Sequence, residues 1–127
     1  MTEQELAALL EQWEGVYKKG LLTFWVLLLL HERPMYAFEM GEELARVSRG
    51  TMVADERSLY RALRRFQAAG FVRSEWQESD VGPRRRYYHL TELGIDLLRQ
   101  FTERNILLFR EPDIEQRLGE LVEGGQA

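Results

Sequence analysis

The feature that most constrains this chain is a run of ten residues, 21–30, that is apolar except for Thr23. It is about half of the roughly 20 residues a helix needs to cross a bilayer, so it reads as a helix buried in a protein core. A helix that is apolar all round has to be covered on every side. The rest of the chain can supply that cover: 127 residues with 45% hydrophobic content fall in the usual range for one domain, and the organisation expected is a single domain over 1–127. There is no cysteine, which excludes disulfides, thiolate metal sites and a cysteine nucleophile and removes any need for an oxidising compartment. Residues 1–10 are acidic and amphipathic, unlike the basic start and apolar stretch of a signal peptide. The chain is expected to be cytoplasmic, with no membrane partner.

The amphipathic cover can be read from periodicity. Thr2 and Glu5 form a capping box, and Leu6, Leu9, Leu10, Trp13 and Tyr17 follow on one helical stripe, predicting a first helix over 3–17. Gly15, Lys18, Lys19 and Gly20 then loosen the chain before a second helix, about 21–31, which stops ahead of Pro34. Phe38, Met40, Leu44 and Val47 suggest a third helix, about 36–46, although Met35 and Tyr36 are poor caps and Gly41 weakens it. After turn residues Arg49-Gly50-Thr51, Asp55 caps a fourth helix, 56–69, which ends at Gly70. Residues 71–77 alternate as a strand, 79–83 have turn chemistry, and 86–90 return as a second strand. Thr91 caps a long helix, 91–110, with Leu93, Leu97, Phe101 and Leu108 on a stripe too broad for one small domain to cover unaided. This stripe predicts a homodimer, with Leu6, Leu9, Leu10 and Trp13 packing onto the same assembly. Pro112 is expected to end that helix and Asp113 to cap a short one, before Gly124-Gly125 opens a loose tail.

Charge is distributed unevenly along the chain. The net charge of −4 argues weakly against a nucleic-acid partner, yet residues 1–17 hold Glu3, Glu5, Glu11 and Glu14 with no counter-charge. Between residues 46 and 65 six arginines face only Asp55 and Glu56. On a helical wheel of 56–69, Leu59, Ala62, Leu63 and Phe66 cluster on one side and Arg57, Arg61 and Arg64 on the other, with Tyr60 and Arg65 flanking. Such a face suits the DNA major groove, which admits one helix and where arginine pairs bidentately with guanine; a solvated charged face is the plainer reading of the helix alone. The hairpin shifts the balance, because its tip, Gly82-Pro83-Arg84-Arg85-Arg86, can reach phosphates. Helix, helix, arginine-faced helix and arginine-tipped hairpin, in that order, make the layout of a winged helix-turn-helix. The fold class is therefore mainly α with a small β-hairpin, its core at about 20–90 and its dimerisation helices at 3–17 and about 91–123.

Several spaced motifs then resemble one family. Leu59-Tyr60-x-Ala62-Leu63-Arg64-Arg65, Gly70-Phe71-Val72, Gly82-Pro83-x-Arg85-Arg86-Tyr87-Tyr88 and Leu90-Thr91-Glu92-x-Gly94 look like the PadR family of transcriptional regulators, over about residues 20–101. The resemblance implies a winged helix-turn-helix, a homodimer held by carboxy-terminal helices, palindromic operator DNA and usually repression. One long helix after the wing is similar to the smaller members of the family. Two departures stand out: Arg61 occupies a position where the family usually has proline, and Ala37-Phe38 replaces a common glycine-tyrosine pair. The operator therefore cannot be carried over from relatives.

The DNA contacts expected are Arg57, Ser58, Tyr60, Arg61 and Arg64 on the fourth helix, bases being read from its first half. Arg84, Arg85 and Arg86 are expected to grip phosphates or the adjacent minor groove, and Lys18 with Lys19 to add a phosphate contact. Two other readings compete. A winged-helix interaction module could bind an acidic protein without DNA, as a pI of about 5.3 slightly favours. An aromatic effector could bind at the dimer interface, since the family includes members that sense flat aromatic compounds. Trp13, Trp25, Trp76, Phe101 and Phe109 fit core packing or such a cavity; Trp25 belongs to the core run, and Trp13 is the best ligand candidate. His31 and His89 lack further ligands at metal spacing, and no nucleophile-elbow, Walker or dinucleotide motif is present. Neither a cofactor nor an enzymatic activity is expected.

Overall fold

The computed structural model describes residues 1–124. Its elements run α1 (Glu3–Glu32), α2 (Ala37–Val47), α3 (Glu56–Ala68), β1 (Val72–Gln77), β2 (Arg85–Leu90), α4 (Glu92–Asn105), a 3₁₀ turn (Leu107–Arg110) and α5 (Pro112–Gly124). The two helices expected at 3–17 and 21–31 are one. The Thr2 hydroxyl accepts the Glu5 N–H at 3.1 Å, and the helix then continues through Gly15 and Gly20. Each glycine costs only about 1 kcal/mol relative to alanine, too little to break a helix with good formers between them. Lys18 and Glu14, paired one turn apart at 2.9 Å, lie across the expected break.

The apolar run of α1 is the centre of the fold, with Val26, Leu27, Leu29 and Leu30 buried. Met35, Met40 and Leu44 close on it from the α2 side, Leu59, Ala62, Leu63 and Phe66 from α3, Val72 and Tyr88 from the hairpin and Leu98 from α4. Trp25 packs against this cluster as expected of a core residue, edge-on to Phe24, which in turn meets Phe101. Phe38, counted in the apolar pattern of α2, is on the outside instead. The weak cap foreseen for α2 is made good from three residues on: the Tyr36 N–H donates to Glu39 Oε1 at 3.3 Å.

The turn between α2 and α3 is held by a buried serine. Ser48 Oγ accepts the Met52 N–H at 2.9 Å and donates to the Met52 carbonyl at 3.2 Å, while Arg49 and Gly50 take positive φ. Asp55 then caps α3 as predicted, its Oδ1 accepting the Ser58 N–H at 2.7 Å. At the other end Gly70 (φ +87°) closes a Schellman turn, Gly70 N–H donating to Gln67 O and Phe71 N–H to Phe66 O. Both ends of the arginine-bearing helix are thereby fixed.

The hairpin is antiparallel, with Val72 opposite Leu90 and Gln77 opposite Arg85, and Met35 adds a bridge to Tyr88. Gly94 explains its motif: a Cβ there would collide with the Phe71 carbonyl oxygen and stand 2.6 Å from Leu90 Cδ1. Only glycine lets α4 start that close to the hairpin. Its cap is Thr91, which accepts the Gly94 N–H and donates to the carbonyls of Gly70 and Phe71.

The long helix expected over 91–110 ends early, at Asn105. Thr102 Oγ1 and Asn105 Nδ2 bond the carbonyls of Leu98 and Phe101, competing with the backbone ladder, and the chain tightens into the 3₁₀ turn. Pro112, expected as a terminator, instead opens α5, where its missing N–H is not needed. Glu111, not Asp113, leads into that helix, its carbonyl accepting the Glu115 N–H at 2.9 Å. Gly124 is the last residue of α5; the loose tail expected from Gly125 lies outside the described residues. No helix among the described residues is long and apolar enough to cross a membrane.

Candidate nucleic-acid interface

Helix α3 presents its two faces as the wheel predicts. Leu59, Ala62, Leu63 and Phe66 are buried, while Arg57, Tyr60, Arg61, Arg64 and Arg65 are exposed and Ser58 is half-buried. The outer face has two flanks. Tyr60, Arg64 and Gln67 look toward the hairpin, where with Arg86 and Tyr88 they line a groove of about 440 Å³. Ser58, Arg61 and Arg65 look the other way, toward α1, where Lys18 and Lys19 complete the wall of a second groove. Arg57 lies between, in the first turn. The Asp55 carboxyl beside it is held below its usual range, mainly by the hydrogen bond from the Ser58 backbone, then by that from the Ser58 side chain and the charges of Arg61 and Arg57; desolvation opposes this.

The three wing arginines are not placed alike. The sequence groups Arg84, Arg85 and Arg86 at the tip, but β2 begins at Arg85, so only Arg84 belongs to the connecting loop. Arg84 is exposed, its guanidinium 5.1 Å from the centre of the Trp76 ring. Arg86 is half-buried: Nε donates to Ser74 Oγ at 2.9 Å and Nη2 to Gln67 Oε1 at 3.4 Å, and Ser74 Oγ itself donates to Gln67 Oε1. It thus ties the hairpin to α3. Arg85, on the opposite face, stacks 4.7 Å from the Tyr36 ring, and Tyr36 meets Tyr87 edge-on. Strand alternation explains the split, because consecutive arginines in β2 must point to opposite faces. Burial pushes the Tyr88 phenol upward, partly offset by Arg86 and Arg64, so it stays neutral beneath this cluster.

Gln67, Ser74, Tyr36 and Trp76 join this surface without a motif of their own in the sequence. Trp76, which the sequence allows as a core or ligand-cavity residue, is 56% exposed between Arg84 and Arg86. Alternation alone puts Ser74 with Trp76 and Arg86 with Tyr88, and the register, in which Trp76 pairs with Arg86 and Ser74 with Tyr88, brings all four to one face. His89 pairs with Glu75 at 3.1 Å on the other face. The Glu75 carboxyl is held low by the Gln77 amide first and then by the charges of His89 and Arg73, against a desolvation that raises it.

The residues expected to support a dimer lie apart from α3. Leu6, Leu9, Leu10 and Trp13 are exposed along the amino-terminal half of α1, and Leu93, Leu97, Phe101 and Leu108 along α4 and the 3₁₀ turn. Trp13 is 73% exposed and forms an apolar hollow with Leu10, Glu14 and Tyr17.

Three helices around a buried turn, followed by a hairpin docked on the third, define a winged helix protein. Residues 26–100 match the model of the transcriptional regulator PadR-like family, and the chain belongs to that family. Among solved structures it is similar to a PadR-like transcription factor from Bacteroides fragilis, at 28% identity over 89% of this chain and 97% of that one, with a TM-score of 0.60. A PadR family transcriptional regulator from Eggerthella lenta shares the fold at 24% identity, covering 94% and 97% of the two chains with a TM-score of 0.72. Bacillus subtilis PadR, solved in complex with operator DNA, shares it at 18% identity, over 67% of this chain and 47% of that one, with a TM-score of 0.62.

Proposed function

We propose that this chain binds double-stranded DNA as a homodimer on a palindromic operator and represses transcription. The observation that carries the reading is α3: one helix, capped at both ends, whose outer face holds Arg57, Tyr60, Arg61 and Arg64 with an apolar face locked in the core behind them. Membership of a family of transcriptional regulators agrees with it. In this reading Arg57, Ser58, Tyr60, Arg61 and Arg64 enter the major groove, and the first half of the helix reads base edges. Arg84 meets the sugar-phosphate backbone, while Arg85 and Arg86 hold the wing in place and contribute charge at its root. Dimerisation through α1, α4 and α5 sets the two α3 helices at a fixed spacing, so the operator repeats its half-site. The chain is read as one domain, with the DNA-binding core at about 20–90 and helical arms on either side.

A second reading builds on the first. The Trp13 hollow, with Tyr17 and Leu10 on an uncovered apolar strip, is suited to a flat aromatic effector held between subunits. Ligand binding there quenches tryptophan fluorescence and changes DNA affinity.

The test is a salt titration on duplex and single-stranded DNA. Several phosphate contacts make affinity for duplex fall steeply and linearly in log–log form as salt rises. A shallow slope, or capture of acidic protein in preference to duplex, favours the interaction-module reading.

A further inference from the structure

The groove between α1 and α3 encloses about 660 Å³ and is the larger of the two grooves beside the arginine helix. Lys18 and Lys19 project into it from α1, and Arg61 and Arg65 from α3; Leu22 and the 52–54 segment form its floor. One carboxylate, Asp55, shares the lining, and it is engaged by its own helix as the cap on Ser58. Among the described residues Lys19, Arg61 and Arg65 take part in no ion pair, and Lys18 is paired only with Glu14, on the surface. Four cations converging from two helices on one hollow repel one another, a cost that an anionic occupant removes. The arrangement exists only because α1 is continuous: a break at residues 18–20 would have left the lysines in a loop.

We infer that the α1/α3 groove is a phosphate site that holds the DNA backbone beside the half-site read by α3, adding a strand contact separate from that of the wing. The inference rests on the DNA-binding reading above. Its chemistry is that of phosphate: the occupant needs several anionic oxygens spread along the groove and no base edges. A continuous strand meets that need better than a compact anion, because the four cations come from two helices and the groove lies against the helix proposed to enter the major groove. Arg61 stands on the rim shared with the groove-reading face, whereas Lys18, Lys19 and Arg65 belong to this flank alone.

The experiment uses the full chain, a Lys18→Ala/Lys19→Ala double variant and, separately, Arg65→Ala, with circular dichroism to confirm that each is folded. Both lysines lie on the surface of a helix and alanine is the stronger helix former, so the fold is expected to survive. Affinity for a duplex selected by the wild type, and for a scrambled duplex, is measured by fluorescence anisotropy at four salt concentrations. The double variant should lower the slope of log affinity against log salt by about two units, and Arg65→Ala by about one, with equal fold losses on both duplexes. Duplex binding with unchanged slopes overturns the inference while leaving the DNA-binding reading intact. Failure of the wild type to bind any duplex overturns both. A parallel arm adds sodium tripolyphosphate at constant ionic strength. If it raises the wild type's melting temperature but not the double variant's, while the variants' duplex slopes stay unchanged, the occupant is a free phosphate compound and the strand contact is refuted.

Discussion

Two regions of this chain treat apolar side chains in opposite ways. Around the arginine helix they are closed off: Leu27, Leu29, Met40, Leu44, Leu59 and Leu63 are essentially inaccessible, packed among α1, α2 and α3. Along the first half of α1 and from α4 to α5 they are open, with Leu6, Leu9, Leu10, Trp13 and Leu121 at least half exposed and no residue of α5 buried. Helix α3 in the one region and α4 in the other carry the same kind of amphipathic pattern, so pattern alone does not determine burial. What differs is neighbours: the core helices cross one another within the chain, whereas α4 meets α1 only along one side, through Leu98 and through Phe101 on Phe24, and the first half of α1 and α5 keep their apolar stripes exposed. In the proposed dimer a second copy covers this surface with the same surface of its own.

Substitutions in the two regions should therefore fail in different ways. Leu97→Asp, in the open region, is expected to have the largest effect, converting dimer to monomer and lowering operator affinity about 10²- to 10⁴-fold as the two half-sites cease to be bound as one unit. Light scattering and anisotropy measure both, and a wild type that is already monomeric at micromolar concentration would refute the role given to the open region. Leu63→Ala, in the closed region, should destabilise the fold by about 2–5 kcal/mol through the cavity it leaves. Its fall in melting temperature should persist at every protein concentration, while that of Leu97→Asp should follow loss of the concentration-dependent dimer.

Helix and wing should also differ in how their substitutions act. Arg61→Ala should change preference at particular base positions, by about 1–3 kcal/mol for a lost bidentate contact. Arg84→Ala should weaken operator and scrambled duplex alike and lower the salt slope by about one unit. If Arg61→Ala lost affinity equally for both duplexes while Arg84→Ala lost only operator binding, readout would belong to the wing.

Most of this fold was legible because its signals are local. The wheel of α3 needs only the 3.6-residue period, and its ends are marked by Asp55 and Gly70, whose roles depend on their own backbone. The hairpin was legible from alternation around Gly82-Pro83. The sequence is ambiguous where distant contacts or small margins decide. Gly15 and Gly20 suggested a break in α1, but helix formers between them outweigh two modest penalties. Pro112 signalled an end and marks a beginning, since proline is tolerated in a first turn as readily as it follows a last one. For the site, the arginines of α3 were legible as a face; the division of labour in the wing was not. Arg84, Arg85 and Arg86 are adjacent in sequence, and only the position of the first β2 residue and the partners Ser74, Gln67 and Tyr36 separate them.

The proposed function requires two α3 helices presented to duplex DNA at a fixed distance, and selecting bound duplexes from a random pool tests that requirement. The predicted result is one enriched motif made of two inverted half-sites, their centres about one helical turn of 10 base pairs, or a multiple of it, apart. Enrichment of no motif, or of a lone half-site without its inverted mate, would contradict it.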